Sequence, residues 1–131
     1  MNRYQWFKGW VCAMTLMMVG SVLAANDQNE GADTIEIKLG DYQFDPAEIH
    51  VKAGQPVILK LTNTDMMTPH DFVLIDEAAG LNIEVSVSPK GSETIEIVPA
   101  KRGQFAFHCS KQLLFFASHQ ERGMAGKLIV E

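Results

Sequence analysis

Cysteine is almost missing from this 131-residue sequence, which has Cys12, Cys109 and no other. Tryptophan is confined to Trp6 and Trp10, and no segment sustains a long apolar period of 3.6 residues. Positive charge is also short, with 11 Lys and Arg against 16 Asp and Glu. The missing helical period argues against a helical bundle. The acidic balance argues against nucleic acid as a partner, and any charge-steered partner is expected to be basic.

What the first residues do contain is a targeting pattern. "MNRYQWFKGWVCAMTLMMVGSVLAA" opens with Arg3 and Lys8, runs apolar from Trp10 to Leu23 and ends on small residues suited to signal peptidase. A cleaved secretory signal is expected over residues 1–24, cut after Ala24 with Val22 and Ala24 in the specificity positions, or after Ala25. An uncleaved anchor is the competing reading, but the run is short against the roughly 20 apolar residues that span a bilayer. Cys12 follows "KGWV", without the small residues that precede a lipidated cysteine. A periplasmic or otherwise exported domain is therefore expected, with no stable membrane insertion after cleavage.

Loss of residues 1–24 would remove both tryptophans, Cys12 and two of the eleven basic residues. The remaining 107 residues, 25–131, suffice for one compact domain and carry nine basic and sixteen acidic side chains, a formal charge of −7. Cys109 is then alone, so no intramolecular disulfide can form. An unpaired thiol in an oxidising compartment is open to stray pairing and over-oxidation. It is either buried as a small apolar residue or held by something, and its neighbours distinguish the two.

After a polar linker, residues 25–33, the sequence consists of short alternating segments. Ile35, Ile37 and Leu39 share one face of "TIEIKL", Ile49 and Val51 one face of "EIHV", and Val57, Leu59 and Leu61 one face of "PVILKLT". This period of two marks half-buried strands. "DFVLI", "IEVSV", "TIEIV", "GQFAFHC" and "GKLIVE" are further strands, separated by turn-forming "DPAE", "KAGQP", "SPKGSE" and "AKRG". The expected fold of residues 34–131 is an all-β, antiparallel Greek-key sandwich or barrel of seven or eight strands. In "GQFAFHC" the aromatic face, Phe105 and Phe107, must be the core, so Cys109 looks inward and His108 outward.

Nine residues separate Cys109 from His119 and four separate His119 from Met124, which immediately precedes the last strand. His70 opens another strand in "TPHDFVL". Two imidazoles, a thiolate and a thioether on loops at one end of a sandwich make the donor set of the blue-copper electron-transfer class. Such a set offers soft sulfur to Cu(I) and nitrogen to Cu(II), so little need move when an electron arrives or leaves.

The chain resembles the cupredoxins of the plastocyanin and pseudoazurin kind over nearly all of residues 34–131. "YQFDPAEIHVKAGQPVILKLTNTD" is similar to the family's amino-terminal segment, "TPHDFVL" to its first-histidine motif, and "FHCS...SHQERGMAGKLIVE" to its closing loop and last strand. The resemblance implies one type-1 copper per chain, bound by His70, Cys109 and His119 with Met124 as axial ligand. Three positions depart from the pattern. The Cys109–His119 loop is long for plastocyanin and nearer that of copper nitrite reductases. Asp71 replaces the Asn that usually ties the two ligand loops, and would add negative charge that lowers the potential. His108 stands where plastocyanin has Tyr.

Other candidates have plainer readings. His50 alternates away from Ile49 and Val51 and is expected on the solvent side. His108 is expected as an outward residue on the electron exit path or a simple surface histidine, since a second copper centre would need more histidines than remain. At least two of Leu113, Leu114, Phe115 and Phe116 are expected to tuck into the barrel mouth, with the rest forming an apolar patch beside His119. Met66 and Met67 are adaptable apolar residues, or thioethers that catch Cu(I). A Cys109–His119 nucleophile and base pair would leave His70 and Met124 unexplained, and a binuclear copper centre would need a second cysteine. The expected function is a monomeric, non-enzymatic one-electron carrier docking redox proteins near His119 and the Leu113–Phe116 loop. The alternative is a copper-binding protein for tolerance or delivery.

Overall fold

The computed structural model describes residues 31–131; the expected signal, residues 1–24, and linker residues 25–30 lie outside them. Nine strands follow in chain order: β1 (Asp33–Gly40), β2 (Gln43–Asp45), β3 (Glu48–Val51), β4 (Val57–Asn63), β5 (His70–Asp76), β6 (Leu81–Val87), β7 (Ser92–Ile97), β8 (Gly103–His108) and β9 (Ala125–Val130). A single three-residue 3₁₀ turn, Glu77–Ala79, is the only helical element among the described residues. It is far too short to cross a membrane, and no described helix is long and apolar enough to do so.

The strands form two sheets, β2-β1-β4-β7 and β3-β9-β8-β5-β6. Alternation places the apolar residues between them: Ile37, Leu39, Leu59, Leu61, Phe72, Leu74, Phe107 and Leu128 are all fully or almost fully buried. Burying a side chain of this size contributes about 1.5–3 kcal/mol. At the heart of the core, Phe107 lies 4.7 Å from Phe72 and 5.1 Å from Phe44 between ring centroids. Phe44 meets both rings edge-on, at interplanar angles of 86°, the arrangement that aromatic quadrupoles favour.

Two features correct the expected topology. The sandwich is mixed rather than wholly antiparallel, because β1 runs parallel to β4 and β3 parallel to β9. The chain switches sheets between β2 and β3 and again between β3 and β4, so a returning strand lies alongside an earlier one in the same direction. Alternation reports which face of a strand is buried and carries no sign for the direction of its neighbour. The strand count is nine, because β2 is three residues long, below the length at which alternation registers.

At Gly126, β9 lies directly against the core. A Cβ there would overlap the Phe107 ring and the Ala47 carbonyl oxygen. Gly126→Ala is therefore expected to destabilise the domain by about 1–3 kcal/mol or more, the usual range for overpacking. Gly31→Ala, where a Cβ meets nothing within 4 Å, is expected to change stability little. Urea denaturation of the two copper-free variants measures the difference.

Candidate metal centre

The strands deliver three candidate donors to one end of the sandwich. His70 is the first residue of β5, Cys109 immediately follows β8, and His119 lies in the loop between β8 and β9. His70 and Cys109 are fully buried, and His119 is 5% exposed. Cys109 looks inward beside Phe107, as strand parity requires, while His108 is half-buried on the opposite face. Met124 is fully buried immediately before β9.

Backbone hydrogen bonds cinch the loop that carries these residues. Cys109 N–H donates to Met124 C=O at 3.1 Å, Met124 N–H to His119 C=O at 3.0 Å, and His119 N–H to Lys111 C=O at 2.8 Å. The last bond closes the base of a projection over residues 112–118. That closure corrects the expectation for the apolar run: Leu113, Leu114, Phe115 and Phe116 are 65%, 75%, 99% and 58% exposed, so none tucks into the core. Leu113 and Phe116 instead wall a shallow cleft of about 230 Å³ with Tyr42, Ala117, His119 and Arg122.

The three donor atoms lie within 4.8 Å of one another. Nδ1 of His70 stands 3.1 Å from Nδ1 of His119, and Cys109 Sγ stands 3.8 and 3.4 Å from the same two nitrogens. Nitrogen and sulfur donors each about 2.0–2.3 Å from a common ion stand roughly 3–4 Å apart, so these separations fit one small cation. Burial pushes the Cys109 thiol up to about 11, although backbone N–H groups of Asp71 and Lys111 partly oppose this. A thiol in such a place ionises when a cation is beside it. Burial, followed by repulsion from His70 and Arg122, lowers the pKa of His119. That direction favours the neutral imidazole, the form that ligates metals.

Asp71 performs the tying role that the Asn it replaces would serve. Its carboxylate accepts from Ser110 N–H and Ser110 Oγ–H, both at 2.6 Å, and its own N–H points to Cys109 Sγ at 3.4 Å. Lys111 Nζ lies 3.7 Å from the same carboxylate and offsets its charge. Burial raises the Asp71 pKa, but the bonds from Ser110, the contact with Cys109 and the charge of Lys111 together outweigh it, and the net shift is downward.

Four contributors were not evident in the sequence. Asp65 holds His70 Nε2 at 2.8 Å. Tyr42 sets its ring edge-on against His119, 4.9 Å between centroids, and Arg122 lies 4.6 Å above the Tyr42 ring. Buried Asn63 organises the loop leading to His70, donating to Thr68 C=O and Val87 C=O and accepting from Asp65 N–H. The available signal was the polar run "NTD" five to seven residues before His70. His50 is on the solvent side, hydrogen-bonded to Glu48 and Glu131.

The sequence matches the Cupredoxin-like domain family over residues 12–130, and the chain belongs to that family. Its fold is similar to that of a dithionite-reduced auracyanin from Roseiflexus castenholzii, at 24% identity and a TM-score of 0.62, covering 77% of this chain and 99% of that one. Auracyanin A, a "blue" copper protein from Chloroflexus aurantiacus, gives 22% identity and a TM-score of 0.61, covering 77% and 100%. The metal-binding domain of the Cu(I)-exporting P-type ATPase CopA from Streptococcus pneumoniae D39 gives 17% and 0.56, covering 75% and 84%. Comparison with curated protein sequences returned no match. Copper is the metal that this cupredoxin fold and this nitrogen and sulfur donor set both indicate.

The geometry of Asp71 gives a direct test of loop tying. Asp71→Ala removes the charged acceptor of both Ser110 bonds and is expected to cost about 1–3 kcal/mol. Asp71→Asn keeps an oxygen acceptor for Ser110 N–H and should lose clearly less. Denaturant midpoints of the copper-free proteins distinguish the two.

Proposed function

We propose that this protein is an exported, monomeric type-1 copper protein that carries single electrons between redox partners. In this reading His70, Cys109, His119 and Met124 would hold the copper. The supporting observation is the convergence of two Nδ1 atoms and one Sγ within 4.8 Å, all in side chains that the fold already holds buried. When bound, copper supplies a one-electron couple between Cu(II) and Cu(I). The protein's part is to hold the donors in one arrangement through both states. Asp71 pins the Cys109 loop against β5, and the bonds among Cys109, His119 and Met124 fix the spacing of the closing loop.

Partners are proposed to dock over the cleft at Tyr42, Leu113, Phe116 and His119, with the exposed Leu113–Phe116 projection as the apolar contact. Four consecutive large apolar side chains facing water are costly unless a surface covers them during use. Phe115→Ser is expected to slow electron exchange with the physiological partner by about tenfold, equivalent to about 1.4 kcal/mol, with the visible spectrum unchanged. Stopped-flow kinetics against that partner measures it.

One observation favours a second reading, copper handling for tolerance or delivery. Met66 and Met67 are 79% and 87% exposed, and Met67 lines the groove of about 370 Å³ that reaches His119. Thioethers there suit soft Cu(I).

The carrier reading is tested by optical and electron paramagnetic spectra of copper-loaded protein beside Cys109→Ser. The native protein should show an intense visible thiolate-to-copper band, narrow copper hyperfine splitting and a reversible one-electron couple, with the band and the narrow splitting lost in the variant. A colourless Cu(II) complex would sink it. Ready transfer of Cu(I) to an acceptor, with growth defects confined to high copper, would favour the handling role.

A further inference from the structure

Carboxylates are rarely placed against a buried ring without consequence, and Asp65 is placed with unusual completeness. Its Oδ2 lies 2.8 Å from His70 Nε2. Its Oδ1 accepts from Asp41 N–H at 3.2 Å, its own N–H donates to Asn63 Oδ1 at 2.9 Å, and its C=O accepts from Lys90 N–H at 3.1 Å. The side chain is only 20% exposed, and the imidazole it meets is fully buried. Asn63 in turn is locked to Thr68 C=O and Val87 C=O. The carboxylate is therefore held at both oxygens, and its backbone is tied to Asn63 and Lys90.

We propose that Asp65 is a positioning residue for the metal centre, fixing His70 as its Nε2–H tautomer so that Nδ1 faces Cys109 and His119 as a lone pair, and lowering the reduction potential of bound copper. The argument starts from hydrogen-bond inventory. An ionised carboxylate can only accept, so the proton of this bond belongs to Nε2, and a neutral imidazole has only one. Nδ1 must then be the free acceptor, and it is the atom that points at the other two donors. The nitrogen that binds metal is set by the bond the other nitrogen makes, and here that bond exists before any metal arrives.

The second half follows from charge. A carboxylate hydrogen-bonded to the far side of a ligating imidazole raises its basicity, and a charge-assisted bond is roughly twice as strong as a neutral one. A more basic ligand and a nearby negative charge both favour the doubly charged ion over the singly charged one. Lys111 beside Asp71 reduces the net charge on that side of the centre. Lys90 sends its ammonium to Thr64 C=O and acts on the Asp65 carboxylate only through space. Among the described residues, Asp65 is thus the carboxylate bonded directly to the ring of a candidate ligand. The same segment steadies the second imidazole: Asp41 and Tyr42, both in the left-handed region at φ 50° and 58°, send an N–H to Asp65 and a ring to His119.

The potential part of this inference rests on the copper reading above, and the tautomer part does not. The test uses the full-length, processed protein, Asp65→Asn and Asp65→Ala. Long-range ¹H–¹⁵N correlation spectra of the copper-free proteins report the His70 tautomer: Nε2–H is expected in the native protein and in Asp65→Asn, which keeps an oxygen acceptor. A mixture is expected in Asp65→Ala. Protein-film voltammetry of the copper-loaded proteins should show a higher potential in Asp65→Asn, with the visible band retained. An Nδ1–H tautomer in the native protein, or an unchanged potential in Asp65→Asn, overturns the proposal. If the native protein lacks the blue band while His70 is still Nε2–H, the copper carrier reading fails and the positioning role stands. A blue band with no change in tautomer or potential in either variant refutes the positioning role alone.

Discussion

Three donor atoms converging on one buried point are the constraint on which the rest of this structure depends. His70 Nδ1, His119 Nδ1 and Cys109 Sγ are within hydrogen-bonding or near-contact distance of one another. Little solvent reaches them, because their side chains are buried. Such an arrangement is held only if the backbone leaves the side chains nowhere else to go. Strand β5 fixes one end of the set and strand β8 another, and the closing loop is drawn tight by bonds between the residues that carry the donors. The aromatic trio of Phe44, Phe72 and Phe107 directly supports this, since Phe72 lies two residues from His70 and Phe107 two from Cys109.

Parity carried the sequence reading a long way. A strand with Phe105 and Phe107 on one face dictates where Cys109 must look, and the sandwich obeys it. The same reasoning put His50 outside and His108 opposite the core. Strand direction was not legible, because the parallel pairs β1–β4 and β3–β9 arise from where the chain changes sheets. That choice is made by crossing connections and not by any local pattern. The three residues of β2 were invisible for a simpler reason, since only Phe44 among them is buried.

At the centre, residue type and order pointed to His70, Cys109 and His119, and they meet. Their supports were harder to see. Asp65 and Tyr42 become neighbours of the imidazoles only through folding, one by a loop that doubles back on Asn63 and the other by a turn with two left-handed residues. Asp71 was read as a charge and proved also to be a tie, because Ser110 lies across the sheet from it. The apolar run at Leu113–Phe116 was expected to seek the core. It does not, because the His119–Lys111 bond closes the loop beneath it and leaves those side chains outside.

The parallel pairing of β3 with β9 joins Glu48 to Lys127 and Val51 to Val130, residues from opposite ends of the domain. Chain-closure entropy must be met before such distant partners reward each other, so topologies of this kind assemble slowly. Since β9 begins directly after Met124, the loop that carries His119 is fixed only when β9 has found β3 and β8. An ion arriving earlier meets a flexible thiol and scattered imidazoles; one arriving later meets a finished socket. Maturation of the socket is in this sense timed by the pairing of β9.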